Sequence, residues 1–291
     1  MEVNIERIKK DIEELNKFNQ TPEKGCTRFS YTPEDRLARN YLIAEMQKIG
    51  LEVIIDPIGN IRGRLAGSNP SAPAVLVGSH LDTVRNGGKF DGVLGVVCGL
   101  EVLRIIQENS ILLNNPLELV IFAEEEGCRF GVSMIGSKAM TGKLRLEDLK
   151  SLKDEEGNSL YDVAKAFGLE PDRVEDCVIK PEQIKAMLEL HVEQGAVLDI
   201  EGIPVGIVKA IAGFERYIIE LEGTSNHAGA TPMQYRRDPL VAAAKVIGSI
   251  DELVKVKANP TTVCTVGKIL CEPNMPNVIP QKIIFTIDVR D

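Results

Sequence analysis

The chain has no basic excess. Its 34 Lys and Arg are outnumbered by 43 Asp and Glu, for a net charge of −9. That balance argues against a surface built to grip phosphate backbone, so no nucleic-acid partner is expected. No stretch approaches the ~18 consecutive apolar residues of a membrane span, so no membrane partner is expected either. There is no CxxC pair. The six cysteines are scattered at 26, 98, 128, 177, 264 and 271, which reads as reduced thiols in a cytoplasmic protein rather than a disulfide frame. The first residues, Met1 to Glu6, are acidic and amphipathic, unlike a signal or transit peptide. Walker A, dinucleotide and G-x-S-x-G fingerprints are missing; Gly131 to Gly136 has the wrong spacing for the last. Cys128 follows three glutamates, which raise a thiol pKa when a nucleophile needs it lowered. Histidine is scarce as well. There are three, His80, His191 and His227, each in a polar, glycine-flanked motif.

What is present is a globular pattern. Hydrophobic residues make up 44 % of 291 residues, enough for a core, and the length suits two domains of about 150 residues. Ile5, Ile8, Ile12 and Leu15 recur at helical spacing. Thr32 and Pro33 open a second helix that stops at Gly50. Residues 51–56 and 61–65 read as strands, 74–78 as a strand buried on both faces, 92–107 as a helix, and 117–123 and 187–192 as further strands. That order implies an α/β domain with a partly parallel sheet. From residue 208 the texture changes to strand 216–221, helix 238–254, strand 261–270 and strand 282–289, a small separate α+β domain.

Four clusters carry chemistry. Gly78-Ser79-His80-Leu81-Asp82-Thr83 follows a buried strand, where α/β proteins build sites. His80 and Asp82, two apart on an extended backbone, face the same way, so the Asp82 carboxylate is expected to accept the second ring N–H of His80 and fix its tautomer. Asn86 to Gly92 places Asp91 before a helix, as a helix cap or as a carboxylate able to bridge two cations. Glu124-Glu125-Glu126 sets three mutually repelling carboxylates at a strand end, which a cation would relieve. Leu188 to Gly195 brings His191, with Glu193 and Gln194 beyond it. Nitrogen and oxygen ligands without cysteine suit catalytic Zn²⁺, Mn²⁺ or Co²⁺.

In this order the four motifs resemble the M20-type zinc amidohydrolases and peptidases, and more narrowly the hydantoinase/carbamoylase branch, with His191 as the branch marker. The resemblance implies a mixed-sheet, zinc-peptidase-like α/β catalytic domain with an inserted ferredoxin-like α+β lid and dimerisation domain. The catalytic part would be residues 1–208 and the lid 209–291. It implies two divalent metal ions (zinc, or manganese or cobalt), one held by His80, Asp91 and His191 and one by Asp91 and Glu126, with Asp91 bridging. Glu125 would be the general base, with Asp82 supporting His80. His227, in Gly223 to Met233, would stabilise the oxyanion from the lid. Gln194, Asn277 and Arg290 would contact the substrate, Arg290 through a paired carboxylate. A homodimer through the lid is implied too.

The activity implied is hydrolysis of a linear ureido or amide bond, foremost in N-carbamoyl-L-amino acids, with allantoate amidohydrolase and β-ureidopropionase as alternatives. A metallopeptidase is a further reading, opposed by His191. The family pattern also continues past Asp291, returning to the catalytic domain with one more histidine ligand. No histidine follows His227 here. The expectation is therefore a shortened chain with a weakened second metal site and little activity. A non-catalytic, dimerising module is the reading of a different class.

Overall fold

A computed structural model describes residues 2–291. The chain divides into two compact units, one reaching Glu201 and the other spanning Gly202–Asp291. In the first, helix α1 (Ile5–Lys17) turns Ile12 and Leu15 inward. Helix α2 (Pro33–Lys48) starts at Thr32, whose hydroxyl accepts the Asp35 N–H at 3.3 Å, satisfying one of the donors a helix start leaves open. Then follow β1 (Glu52–Ile55), β2 (Ile61–Leu65), β3 (Ala74–His80), α3 (Val93–Glu108), β4 (Leu117–Phe122), the short helices α4 (Ile135–Met140), α5 (Leu146–Ser151) and α6 (Leu160–Ala166), β5 (Ile184–Leu188) and α7 (Val197–Glu201).

The five strands form one mixed sheet in the order β1-β2-β4-β3-β5. β3 runs parallel to β4 and β5, while β1, β2 and β4 pair antiparallel. Both faces of the centre are covered, as parallel pairs require. Leu117, Leu119 and Ile121 pack with α1, α2 and α3 through Ile12, Leu42, Met46, Val97 and Leu100. Val120 and Phe122 face the other way, against Leu76 and Met140. The charge within β4, Glu118, is buried and paired with Arg62 and Arg64. The parallel register sets His80 beside Phe122, so both strands end at one edge and deliver their loops together.

The boundary that bears on the site departs from the sequence expectation. The last strand lies at 184–188, not 187–192. β5 has β3 as its neighbour and pairs with it only as far as Leu188, opposite Val77. Past that point the chain leaves the ladder, and the Leu190 carbonyl lies against Gly95 of α3. His191 is therefore held in a loop and not on a strand.

The second unit contains β6 (Phe214–Glu222), β7 (Asn226–His227), α8 (Pro239–Lys257), β8 (Val263–Glu272), β9 (Val278–Ile279) and β10 (Lys282–Arg290). The long strands form an antiparallel sheet in the order β6-β10-β8. Asp238 caps α8 by accepting the Leu240 N–H at 2.9 Å. Ala243, Ile283 and Phe285 make a small core with Ile219, Leu221 and Ile247. β7 and β9 form a separate two-stranded ribbon. No helix among the described residues is long and apolar enough to cross a membrane.

Candidate metal centre

The edge where β3 and β4 end also receives the start of α3 and the loop after β5. His80 comes from the last position of β3, Asp91 from the approach to α3, and His191 from the loop. Their ligand atoms all lie within 4.8 Å of one another, a trio of metal-ligating type among the described residues. The Nε2 atoms of His80 and His191 stand 3.5 Å apart. Asp91 Oδ1 is 3.5 Å from the first and 3.2 Å from the second. Close approach is possible because residue 92 is glycine: at φ +63°, a Cβ there would stand 2.5 Å from the His80 ring. Asp91 does not cap α3 with its side chain. The cap position is Gly92, without a side-chain bond, and the Asp91 carboxylate is turned to the histidines instead.

The tautomers follow from the backbone. His80 Nδ1 meets the Asp82 carbonyl at 2.9 Å, and His191 Nδ1 meets the Val192 carbonyl at 2.9 Å. A carbonyl only accepts, so each Nδ1 carries the proton and each neutral ring turns an Nε2 lone pair to the centre. Asp91 Oδ1, buried, has no hydrogen-bond partner. With both rings neutral, two nitrogen lone pairs and an anionic oxygen converge. A buried orphan oxygen calls for an explanation, and a cation supplies one. The donor set fits a divalent metal of the zinc, manganese or cobalt kind. The electrostatics agree. Asp91 is held down to about 2, by His80 first and then Gln194 and His191. His80 is raised to about 9: burial opposes its charge, but Asp91, Asp82 and Glu125 outweigh it. A proton there answers the same need for positive charge that a metal would, so metal binding would release it.

Glu125 Oε2 lies 3.7 Å from His80 Nε2. Burial raises its carboxyl, against the pull of His80. Burial likewise pushes Glu126 up to about 7, opposed by His80 and assisted by Asp91, Glu125 and Asp82. The Cys128 thiol is pushed up to about 11, by burial first and then by Glu126 and Glu124.

Asp82 is at the site but makes a different contact from the one its spacing suggests. β3 ends at His80, so strand alternation no longer governs residue 82. Its carbonyl takes the His80 ring, and its carboxylate stands 3.8 Å off. The carboxylate instead accepts the backbone N–H groups of Glu125 and Glu126, at 3.1 and 2.9 Å. Gln194 is also engaged within the site: its side-chain amide donates to Asp91 Oδ2 at 2.8 Å.

The remaining predicted residues lie in the second unit. His227 and Asn277 are brought together, because His227 pairs with Val278 and the Ala228 N–H donates to the Asn277 carbonyl at 3.0 Å. His227 is exposed, and its Nδ1 accepts the Gly229 N–H at 3.0 Å. Arg290 is apart from them, at the far end of β10, with its Nε 3.4 Å from Asp288.

Two contributions carried no sequence signal. Arg28, fully buried, donates from Nε to the Leu81 carbonyl at 2.9 Å and ties down the turn after His80. Ser79 donates to Glu189 at 2.5 Å, anchoring the loop that carries His191. Both partners are distant in sequence: Ser79 stands in the His80 motif, but neither its type nor its position there points to Glu189, and Arg28 lies in no motif.

Comparison with known proteins accords with this geometry. Residues 76–279 match the model of peptidase family M20/M25/M40, and the chain belongs to that family, whose members depend on metal. The relatives it matches include amidohydrolases. It is 46 % identical over 286 residues to an N-carbamoyl-L-amino acid amidohydrolase of Geobacillus stearothermophilus, covering 98 % of this chain and 69 % of that protein. It is 39 % identical over 280 residues to an allantoate amidohydrolase of Bacillus subtilis, covering 96 % and 67 %. Among solved structures, an amidase of the hydantoinase/carbamoylase family from Burkholderia multivorans superposes with a TM-score of 0.88 at 34 % identity, over 99 % of this chain and 69 % of that one. The chain therefore groups with the hydantoinase/carbamoylase branch.

Proposed function

We propose that the chain hydrolyses the ureido bond of an N-carbamoyl-L-amino acid, with allantoate as the competing substrate. The observation that carries this is the orphaned Asp91 Oδ1 facing two histidine lone pairs. His80, Asp91 and His191 would hold a divalent ion, zinc foremost and manganese or cobalt as alternatives. Such an ion supplies Lewis-acid polarisation of the scissile carbonyl and a more acidic water. Asp91 and Glu126 would contribute to holding a second ion.

The protein's own groups do the rest. Glu125, close to His80 and with its carboxyl raised by burial, takes a proton from the attacking water at a carboxylate oxygen and returns it to the leaving nitrogen. Gln194 holds the outer oxygen of Asp91 and fixes the direction of the inner one. His227, with Nδ1 occupied as an acceptor, presents an Nε2–H donor suited to an oxyanion. Asn277 and Arg290 would orient the substrate, Arg290 by pairing with its carboxylate. Residues 1–208 act as the catalytic part and 209–291 as a ferredoxin-like lid through which the chain dimerises. Hydrolysis of the carbamoyl group would release ammonia and carbon dioxide.

The test is ammonia release from N-carbamoyl-L-methionine and from allantoate, with zinc, manganese or cobalt supplied. Faster turnover of the first is expected. Faster turnover of allantoate selects the alternative, and no turnover of either with metal bound removes the proposal. A size measurement tests dimerisation.

A further inference from the structure

β4 leaves its ladder at Phe122, and the four amides that follow have no strand to bond. Ala123 and Glu124 are buried, so their N–H groups must find partners. Each finds a side chain from elsewhere in the first unit. The Ala123 N–H donates to Asn60 Oδ1 at 2.9 Å, and the Glu124 N–H to Ser30 Oγ at 2.9 Å. Those of Glu125 and Glu126 go to the two oxygens of Asp82. The carbonyl side is held as well. The N–H groups of Gly136, Ile135 and Met134 donate to the carbonyls of Ala123, Glu124 and Glu125 at 2.8, 3.0 and 2.7 Å.

The conformation so held is a costly one. Glu124 sits at φ +47°, where side-chain-bearing residues are uncommon, and such a backbone persists only when its surroundings over-determine it. Asn60 is itself locked. Its Nδ2 donates to Asp56 Oδ2 at 2.6 Å and to the Gly136 carbonyl at 3.0 Å, so the amide presents its oxygen to Ala123. Both Asn60 and Ser30 are buried. The clamp grips main chain, so it orders the adjacent carboxylates without neutralising either, although their mutual repulsion would otherwise splay the turn.

We propose that Ser30 and Asn60 are positioning residues of the reaction: with Asp82 they fix the backbone from Ala123 to Glu126, and so where the Glu125 and Glu126 carboxylates stand beside His80, Asp91 and His191. This rests on the functional reading above, and the test separates the two.

Two variants of the full chain serve. Ser30→Ala removes one acceptor without adding bulk. Asn60→Asp keeps the shape but sets a second carboxylate against Asp56 and the Gly136 carbonyl. In Ser30→Ala, exchange of the Glu124 amide should quicken by about tenfold, the loss of one hydrogen bond, while α3 amides keep wild-type rates and report an intact fold. With N-carbamoyl-L-methionine, kcat should fall roughly ten- to hundredfold, as misplaced groups cost, with KM changed by less than about twofold. Co²⁺ should still titrate into both variants, with its visible bands displaced from wild type. Unchanged exchange at Glu124, or faster exchange with unchanged kcat and bands, overturns the proposal. If the wild-type chain turns over neither substrate, the functional reading has failed, and exchange together with the cobalt bands still decides the clamp.

Discussion

His80 and His191 in the first unit and His227 in the second carry one side chain in opposite tautomers. In the first pair a backbone carbonyl faces Nδ1, so the free nitrogen is a lone pair. In the third a backbone N–H faces Nδ1, so the free nitrogen is a donor. A lone pair is what a metal takes, and a donor is what a developing oxyanion takes. The surroundings differ in the same sense. His80 is buried among bonded partners, whereas His227 lies exposed on a two-residue ribbon. The first unit holds a pre-organised site. The second presents a group whose geometry rests on one local bond.

The contrast can be broken most completely at the metal. Chelation should abolish hydrolysis and added zinc, manganese or cobalt should restore it; His191→Ala should abolish it without restoration at ordinary metal concentrations. Activity that survives exhaustive dialysis against chelator would refute a metal role for the trio. Next in size is Glu125→Gln. Loss of a general base should lower kcat by about 10²- to 10⁴-fold, while elemental analysis finds metal content unchanged. His227→Ala should cost about 10²- to 10³-fold in kcat, as removal of one oxyanion donor does, again with metal retained. Metal lost from that variant would join the two regions that the tautomers separate. Gln194→Ala should act oppositely, weakening metal affinity about 10- to 100-fold because Asp91 loses its outer hydrogen bond, as isothermal titration would show. The smallest effect is spectroscopic. Imidazole ¹⁵N shifts should report Nδ1–H for His80 and His191 in the metal-loaded chain and Nε2–H for His227; one common tautomer would erase the distinction.

Much of this was legible in one dimension. Thr32 and Pro33 start a helix as their types imply, and the apolar run at 74–78 is a doubly covered strand. His80, Asp91 and His191 were legible because each stands near the end of a patterned element. Apolar content continues through Leu190 and predicts a strand that carries His191, while the ladder stops at Leu188. Pairing, not composition, ends a strand. The spacing of Asp82 from His80 predicts a contact with the ring, yet its carboxylate serves amides 43 and 44 residues away. Ser30, Asn60 and Arg28 were invisible because their partners lie 94, 63 and 53 residues off.

Residue types and motif order alone settled which chemistry the chain can perform, since only certain side chains ligate metal or move protons, and they stand in a recognisable succession. The fold decided the state of those side chains: which ring nitrogen keeps its proton, which carboxylate oxygen is left without a partner, and which amides hold the glutamate turn. Those choices belong to hydrogen bonds, and hydrogen bonds depend on atoms a few ångströms apart in space, however far apart along the chain.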